Sequence, residues 1–352
     1  MTIVFQVLNL RPQMNTFKIA ILSLVLSFLL KDVSAQQTEL LPAYFRFSND
    51  NDYYKMRDGT DRYYTNGFNL EFQPRRRQRD LGVKAAFPRL KAFSKSNTVL
   101  RYGFSMQAFT PENPYELSGQ QNSRPYCGLA LLSLSGVSNS IEKQERLTTS
   151  YSMGMMGPIT HQEEMQLWYH QKTGRRSPLG WENQIANDLA LNAGLLYEKK
   201  MWRPADYLEF NVLAEGNCGT VSNYGGMGLM YRIGFFNDYF SDLLGLSPNS
   251  VQTKHGVKNS PQQRRFQFYF FGKSVGRLVL DNSLLEAGYF NFRNSPYKLE
   301  KQQIEKWYAQ FEFGYVLAAR HFSISFSQVF RTPEFKSGKS AQWGNLSFAF
   351  RL

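Results

Sequence analysis

The chain has 352 residues, a formal net charge of +13, 15% aromatic residues with 29 Phe and 20 Tyr, and two cysteines. Mean hydropathy is −0.43, and beyond residue 35 no run of about 18 apolar residues occurs, which excludes a membrane-spanning helix there. Two cysteines exclude a disulfide-stapled scaffold, and an export signal argues against nucleic acid as the partner of the basic charge.

That signal comes first in the chain. Within "MNTFKIAILSLVLSFLLKDVSA", Lys18 precedes an apolar run over 19–30, and Val33-Ser34-Ala35 forms a small-residue cleavage site. Residues 1–35 therefore read as a secretory signal peptide, with Met14 as an alternative start and Gln36 as the first mature residue. Its removal leaves a net charge of about +11, suited to anionic lipid headgroups.

From there, period-two alternation predicts strands near 42–50, 64–73, 98–109, 126–135, 146–156, 188–199, 207–216, 224–235, 264–276, 306–317, 320–330 and 343–352. Phe322, Ile324 and Phe326, for example, alternate with Ser323, Ser325 and Ser327. Most segments approach the 9–11 residues, roughly, that a tilted membrane strand needs. Residues 284–292 are the thirteenth possibility and are assigned to an external excursion, because an even count returns both termini to the periplasm. The chain closes on "NLSFAFRL", an aromatic strand of the kind barrel-insertion machinery reads. Alternation alone also fits a soluble sandwich. The export signal, the aromatic content and the terminal strand favour an all-β, 12-stranded antiparallel transmembrane barrel over residues 36–352. Inward charges such as Arg101, Glu209 and Glu312 would fill so narrow a lumen.

Strand one ends in "NDNDYYKMRDGTDRYYTNG", residues 49–67. Asn49, Asp50 and Thr65 offer hard oxygen ligands for a cation, or ordinary Asx caps at strand ends. Alternation puts Asp50 and Thr65 on one lumen-type face. Asp52, Asp58 and Asp61 read as solvated loop residues, Asp61 paired with Arg62. Strand five ends at the same rim, opening an external loop over 158–187. Within it "THQEEMQLWYHQ" predicts a short helix with Thr160 as N-cap and Glu163 at the capping-box position. Gln166 and His170, four apart, share one helix face. His170 is a candidate general base or a surface histidine. Lys172, Arg175 and Arg176 suit phosphate or are plain surface charges. Arg124 stands at the rim of strand four, facing headgroup or polar loops. Cys127 and Cys218 are a disulfide in an oxidising compartment or two small residues packed in strands.

The ordered set "FSNDND", "DRYYTNG", "SRPYCG", "GPITHQEEMQLWYH" and "GWENQI", followed by "RRFQFYFFGKSVGRLVLDN", resembles the lipid A 3′-O-deacylase family of outer-membrane β-barrels. The resemblance covers nearly the whole mature chain. It implies a calcium-dependent carboxylic ester hydrolase of the bacterial outer membrane. Such an enzyme removes the 3′-linked acyloxyacyl chain of lipid A at the external rim, between the barrel wall and a loop helix. Carried over by motif, it implies catalytic roles for His170, Gln166, Asn49, Asp50 and Thr65. It makes His170 the base and a Ca²⁺ ion the oxyanion stabiliser, with Asn49, Asp50 and Thr65 as its ligands, and it makes lipopolysaccharide the partner. Lys172, Arg175, Arg176 and Arg124 are then candidate substrate contacts. Two departures stand out. Arg176 occupies the position of a family glutamate, leaving Glu182 or Glu163 as substitutes or the arginine itself as the stabilising cation. Ser123 stands where an aspartate is common. The competing readings are another outer-membrane esterase such as phospholipase A, whose His-x-Ser-Asn-Gly type of motif does not occur in the chain, and a non-enzymatic porin or adhesin.

Overall fold

The alternation read from the sequence becomes twelve antiparallel strands in the computed structural model, which describes residues 40–41, 43–54, 62–74, 76–77, 98–117, 122–240, 264–290, 293–319 and 321–352. They are β1 (Tyr44–Asn51), β2 (Tyr63–Gln73), β3 (Thr98–Thr110), β4 (Cys127–Ser140), β5 (Glu145–Met156) and β6 (Asp188–Ala205). The second half comprises β7 (Leu208–Gly219), β8 (Ser222–Phe235), β9 (Gln267–Asn282), β10 (Trp307–Ala318), β11 (Phe322–Arg331) and β12 (Ala341–Arg351). Each strand pairs with its sequence neighbour, and β12 pairs with β1 through registers such as Leu346 opposite Asn49, closing the sheet. Closure satisfies every ladder without leaving an edge, the condition for a sheet in hydrocarbon. The segment read as an external excursion forms a short helix, Ser283–Glu286, and its remaining described residues form no strand. The signal-peptide segment, Asp58 and Asp61 lie outside the described residues.

Side-chain direction follows the pleat. Tyr102, Leu132, Met153, Met227 and Phe270 are exposed on the outer wall. The inner face carries paired charges, as expected: Arg101 with Glu71 at 3.6 Å, Arg232 with Glu209 at 2.8 Å, and Glu312 accepting from the Ser327 hydroxyl. The start of β1 and the end of β12 meet at one rim, where the Leu352 amide donates to the Ala43 carbonyl. At the opposite rim Leu285, Leu299, Ile304 and Phe335, all from segments between strands, pack with Tyr63, Val329 and Trp343 in one apolar core. Packed side chains fill this end of the barrel among the described residues, which weighs against a wide pore.

Arg124 belongs to this plug and not to a lipid-facing rim. It is 1% exposed, its guanidinium lies 4.3 Å above the Phe109 ring, and Nη1 donates to Glu334 at 2.7 Å. Burial alone would raise the Glu334 carboxyl, but Arg331 and Arg124 together hold it below its ordinary range. Of the two partners expected for Arg124, headgroup or polar loops, its buried side chain meets the second. Both cysteines are free, Cys127 buried and Cys218 exposed.

Candidate active site on the outer wall

Asn49 and Asp50 are successive residues of β1, so their side chains leave opposite faces of the wall. Asp50 points inward, where Oδ2 accepts from the Tyr64 hydroxyl at 2.8 Å and Oδ1 from the Asn345 amide at 2.6 Å. Gly67 stands opposite Asp50 in register. A Cβ at Gly67 would lie 2.8 Å from Asp50 Oδ2 and collide with the Tyr64 hydroxyl. The missing side chain is what lets Tyr64 reach the carboxylate. Asn49 points outward: its amide donates to Asn66 Oδ1 and the Gly67 carbonyl, both at 2.9 Å, and Oδ1 accepts from the Tyr54 hydroxyl.

Thr65 departs from the expected parity. Tyr64 pairs with Phe109 and Asn66 with Ala108, so Thr65 is the extra residue of a bulge. A bulge inserts one residue and resets the alternation. Thr65 Oγ1 lies 2.7 Å from Thr110 Oγ1, on the same alternation as Ala108 and exposed Tyr102. Thr65 therefore shares the outer face with Asn49, while Asp50 faces the lumen. Asp52, expected to be solvated, is 2% exposed in a turn whose Tyr54 carbonyl accepts from Gln328 Nε2.

The loop helix, α1 (Gln162–Thr173), lies against this same outer face. Its N-cap is His161 in the left-handed region, not Thr160. Pro158 begins a separate short turn, and the Thr160 hydroxyl donates to the Gly157 carbonyl within it. Gly128 of β4 makes the close approach possible. A Cβ there would stand 2.7 Å from Gln162 Cγ and collide with the Thr160 hydroxyl. Gly128→Val is accordingly expected to lift α1 off the wall. Limited proteolysis within the 158–187 loop should then become faster, while heat-modifiable migration of the barrel on gels stays unchanged.

The buried face of α1 is polar: Gln162, Gln166 and His170, at four-residue spacing. His170 is 1% exposed, and its Nδ1 lies 2.6 Å from the Arg176 carbonyl oxygen. A carbonyl only accepts, so Nδ1 carries a proton, and the tautomer this selects has its lone pair at Nε2. Gln166 Oε1 accepts from the indole N–H of Trp181 at 2.8 Å. Trp181 itself packs against Tyr126 with the rings tilted by 37° and their centroids 4.6 Å apart. An indole nitrogen only donates, so the amide orientation of Gln166 is determined. Its Nε2 is buried with no partner among the described residues, as is Nε2 of Gln162.

The opening stretch and the histidine helix meet, as the sequence suggested. The Arg175 guanidinium lies 4.4 Å above the Tyr53 ring. Burial, and then the neighbouring Tyr169, push the Tyr54 hydroxyl above its ordinary range. Lys172 is exposed on α1. The Arg176 side chain leads to the 111–117 loop, where Nη2 donates to the Tyr115 carbonyl at 2.9 Å. Only its backbone serves His170. Glu163 sits in the first turn of α1, nearly two turns before His170. Burial, then Glu164 and Glu182, raise its carboxyl. Gln162, Tyr54, Thr110 and Trp181 were not singled out from the sequence. The four-residue spacing of Gln162 with Gln166 and His170 was the available signal for the first.

Calcium prefers several convergent oxygens including carboxylate. Here Asn49 and Thr65 face outward, Asp50 faces inward, and the side-chain oxygens of all three engage protein partners. No group of three or more His, Cys, Asp or Glu side chains able to hold an ion occurs among the described residues. As arranged, the three side chains do not form a calcium site.

A family model described as outer membrane protein LpxR matches residues 21–352. Among solved structures, LpxR from Salmonella typhimurium is similar at 18% identity and a TM-score of 0.64, covering 88% of this chain and 100% of that one. The β domain of the Bordetella autotransporter BrkA is also similar, at 8% identity and a TM-score of 0.42, covering 88% and 98%. Comparison with curated proteins gave no match. With the family model spanning the strands and the loop helix alike, the chain belongs to the outer membrane protein LpxR family.

Proposed function

We propose that the chain is an outer-membrane lipid A deacylase that hydrolyses the 3′-linked acyloxyacyl ester between α1 and the external end of the barrel wall. The supporting observation is the pairing of an oriented imidazole with a buried, unpartnered amide on one helix face. His170 Nε2 takes a proton from water as the water oxygen bonds to the ester carbonyl carbon. The carbonyl oxygen gains negative charge, and the Gln166 Nε2–H group donates to it. Collapse breaks the acyl carbon–oxygen bond, and the imidazolium returns its proton to the departing 3′ oxygen. The products are a free acyloxyacyl acid and a 3′-hydroxyl. Lys172 and Arg175 stand beside this face as contacts for the phosphates of lipid A. Lipopolysaccharide is the partner, and barrel-insertion machinery places the protein.

Mass spectrometry of lipid A from membranes carrying the chain tests this reading. The expected result is loss of one acyloxyacyl group; unchanged lipid A would reject it, and release of fatty acid from glycerophospholipid would favour the phospholipase reading. No step is assigned to an ion. Chelation with EGTA is expected to leave the rate within about twofold of that with added Ca²⁺, because the donor set is not convergent. Abolition by EGTA and recovery with Ca²⁺ would restore the metal mechanism.

A further inference from the structure

Helix α1 is inside-out for a soluble protein. Its buried residues are Gln162, Gln166 and His170, while Met165, Trp168 and Tyr169 are exposed, Trp168 at 62%. At about 100° per residue, the twelve positions fall into three sectors. The wall-facing sector is the glutamine–histidine stripe. About 120° to one side lie Trp168, Lys172, Met165 and Tyr169. On the other flank lie Glu163, Leu167, Gln171 and Glu164, and Thr173 falls on the wall-facing side at the helix end. Thus the two flanks differ: one is apolar with a single lysine, the other carries two glutamates and a glutamine around the half-buried Leu167. Ile159 just before the helix and Leu179 after it are exposed as well.

Such a helix matches a boundary between hydrocarbon and water along its length. The barrel supplies that boundary. Gly128, on which α1 rests, lies on the same outer alternation of β4 as Leu132, which is 57% exposed on the lipid-facing wall. Helix α1 therefore rests on the same outer face of β4 that, four residues further along, faces lipid.

We propose that Met165, Trp168 and Tyr169 seat α1 in the outer leaflet, at the boundary of headgroups and acyl chains. Lys172 reaches from the same flank toward the headgroups, and the acidic flank faces water. The occupant of the apolar flank is leaflet lipid. A lipid ester then reaches the His170 face laterally, from the membrane; this last consequence rests on the proposed deacylase reading, the seating does not.

The test reconstitutes the full chain in vesicles of phosphatidylcholine brominated along the acyl chains, and compares it with the Trp168→Phe variant. The difference in tryptophan emission isolates Trp168. Bromolipid is expected to quench that difference at least about twofold, with little effect of aqueous iodide. Iodide quenching without bromolipid quenching would overturn the seating. So would protection from both that appears only at high protein density with a cross-linked dimer, which would make a second copy the occupant. The readout does not involve hydrolysis, so failure of the deacylase reading leaves it intact. If seating holds but lipid A is unchanged, the activity assignment alone fails.

Discussion

Replacing His170 by alanine should lower the rate of lipid A deacylation about 1,000-fold, with barrel assembly intact. General-base catalysis by a positioned imidazole contributes about 10²–10⁴, and His170 belongs to an external loop helix, not to the strand ladder. Because the ring is buried, a loss through local collapse must be separated from loss of a base. His170→Gln keeps an N–H group able to donate to the Arg176 carbonyl but has no basic lone pair. It should be as inactive as the alanine variant. Added imidazole should recover part of the His170→Ala rate, since the deletion leaves room for it, and should do nothing for His170→Gln. Arg176→Ala should remain near wild type, because the carbonyl that orients His170 is retained and the lost guanidinium contacts Tyr115. An active His170→Ala protein would remove the histidine from the mechanism.

The second large effect belongs to Gln166. Removing one oxyanion donor costs about 10²–10³ in kcat, so Gln166→Ala should lose roughly that factor with KM little changed. The informative partner is Gln166→Glu. Its carboxylate still accepts from the Trp181 N–H, so the helix–wall packing survives. The donor, however, is replaced by a negative charge where negative charge must develop. Gln166→Glu should therefore be slower than Gln166→Ala, measured as initial rates on lipid A in bilayers. If Gln166→Glu retained more activity than Gln166→Ala, the amide would be a packing element and another donor would have to carry the oxyanion.

Read by itself, the sequence determined the barrel. Twelve alternating segments, the terminal aromatic strand and the inward charges required only local pattern, because side-chain direction in a strand repeats every two residues. The helix with Gln166 and His170 on one face was equally legible, since four-residue spacing is a property of the helix alone. The tertiary structure decided what this local periodicity does not carry. One bulge at Thr65 turned that residue away from Asp50, because an inserted residue resets every face beyond it. Pairing across 210 residues took Arg124 from the rim into the plug with Glu334. The indole of Trp181 fixed which end of the Gln166 amide donates. And a glycine at position 128, unremarkable in a strand pattern, decided that α1 lies on the outside of the wall, because only a residue without a Cβ admits Thr160 and Gln162 so closely.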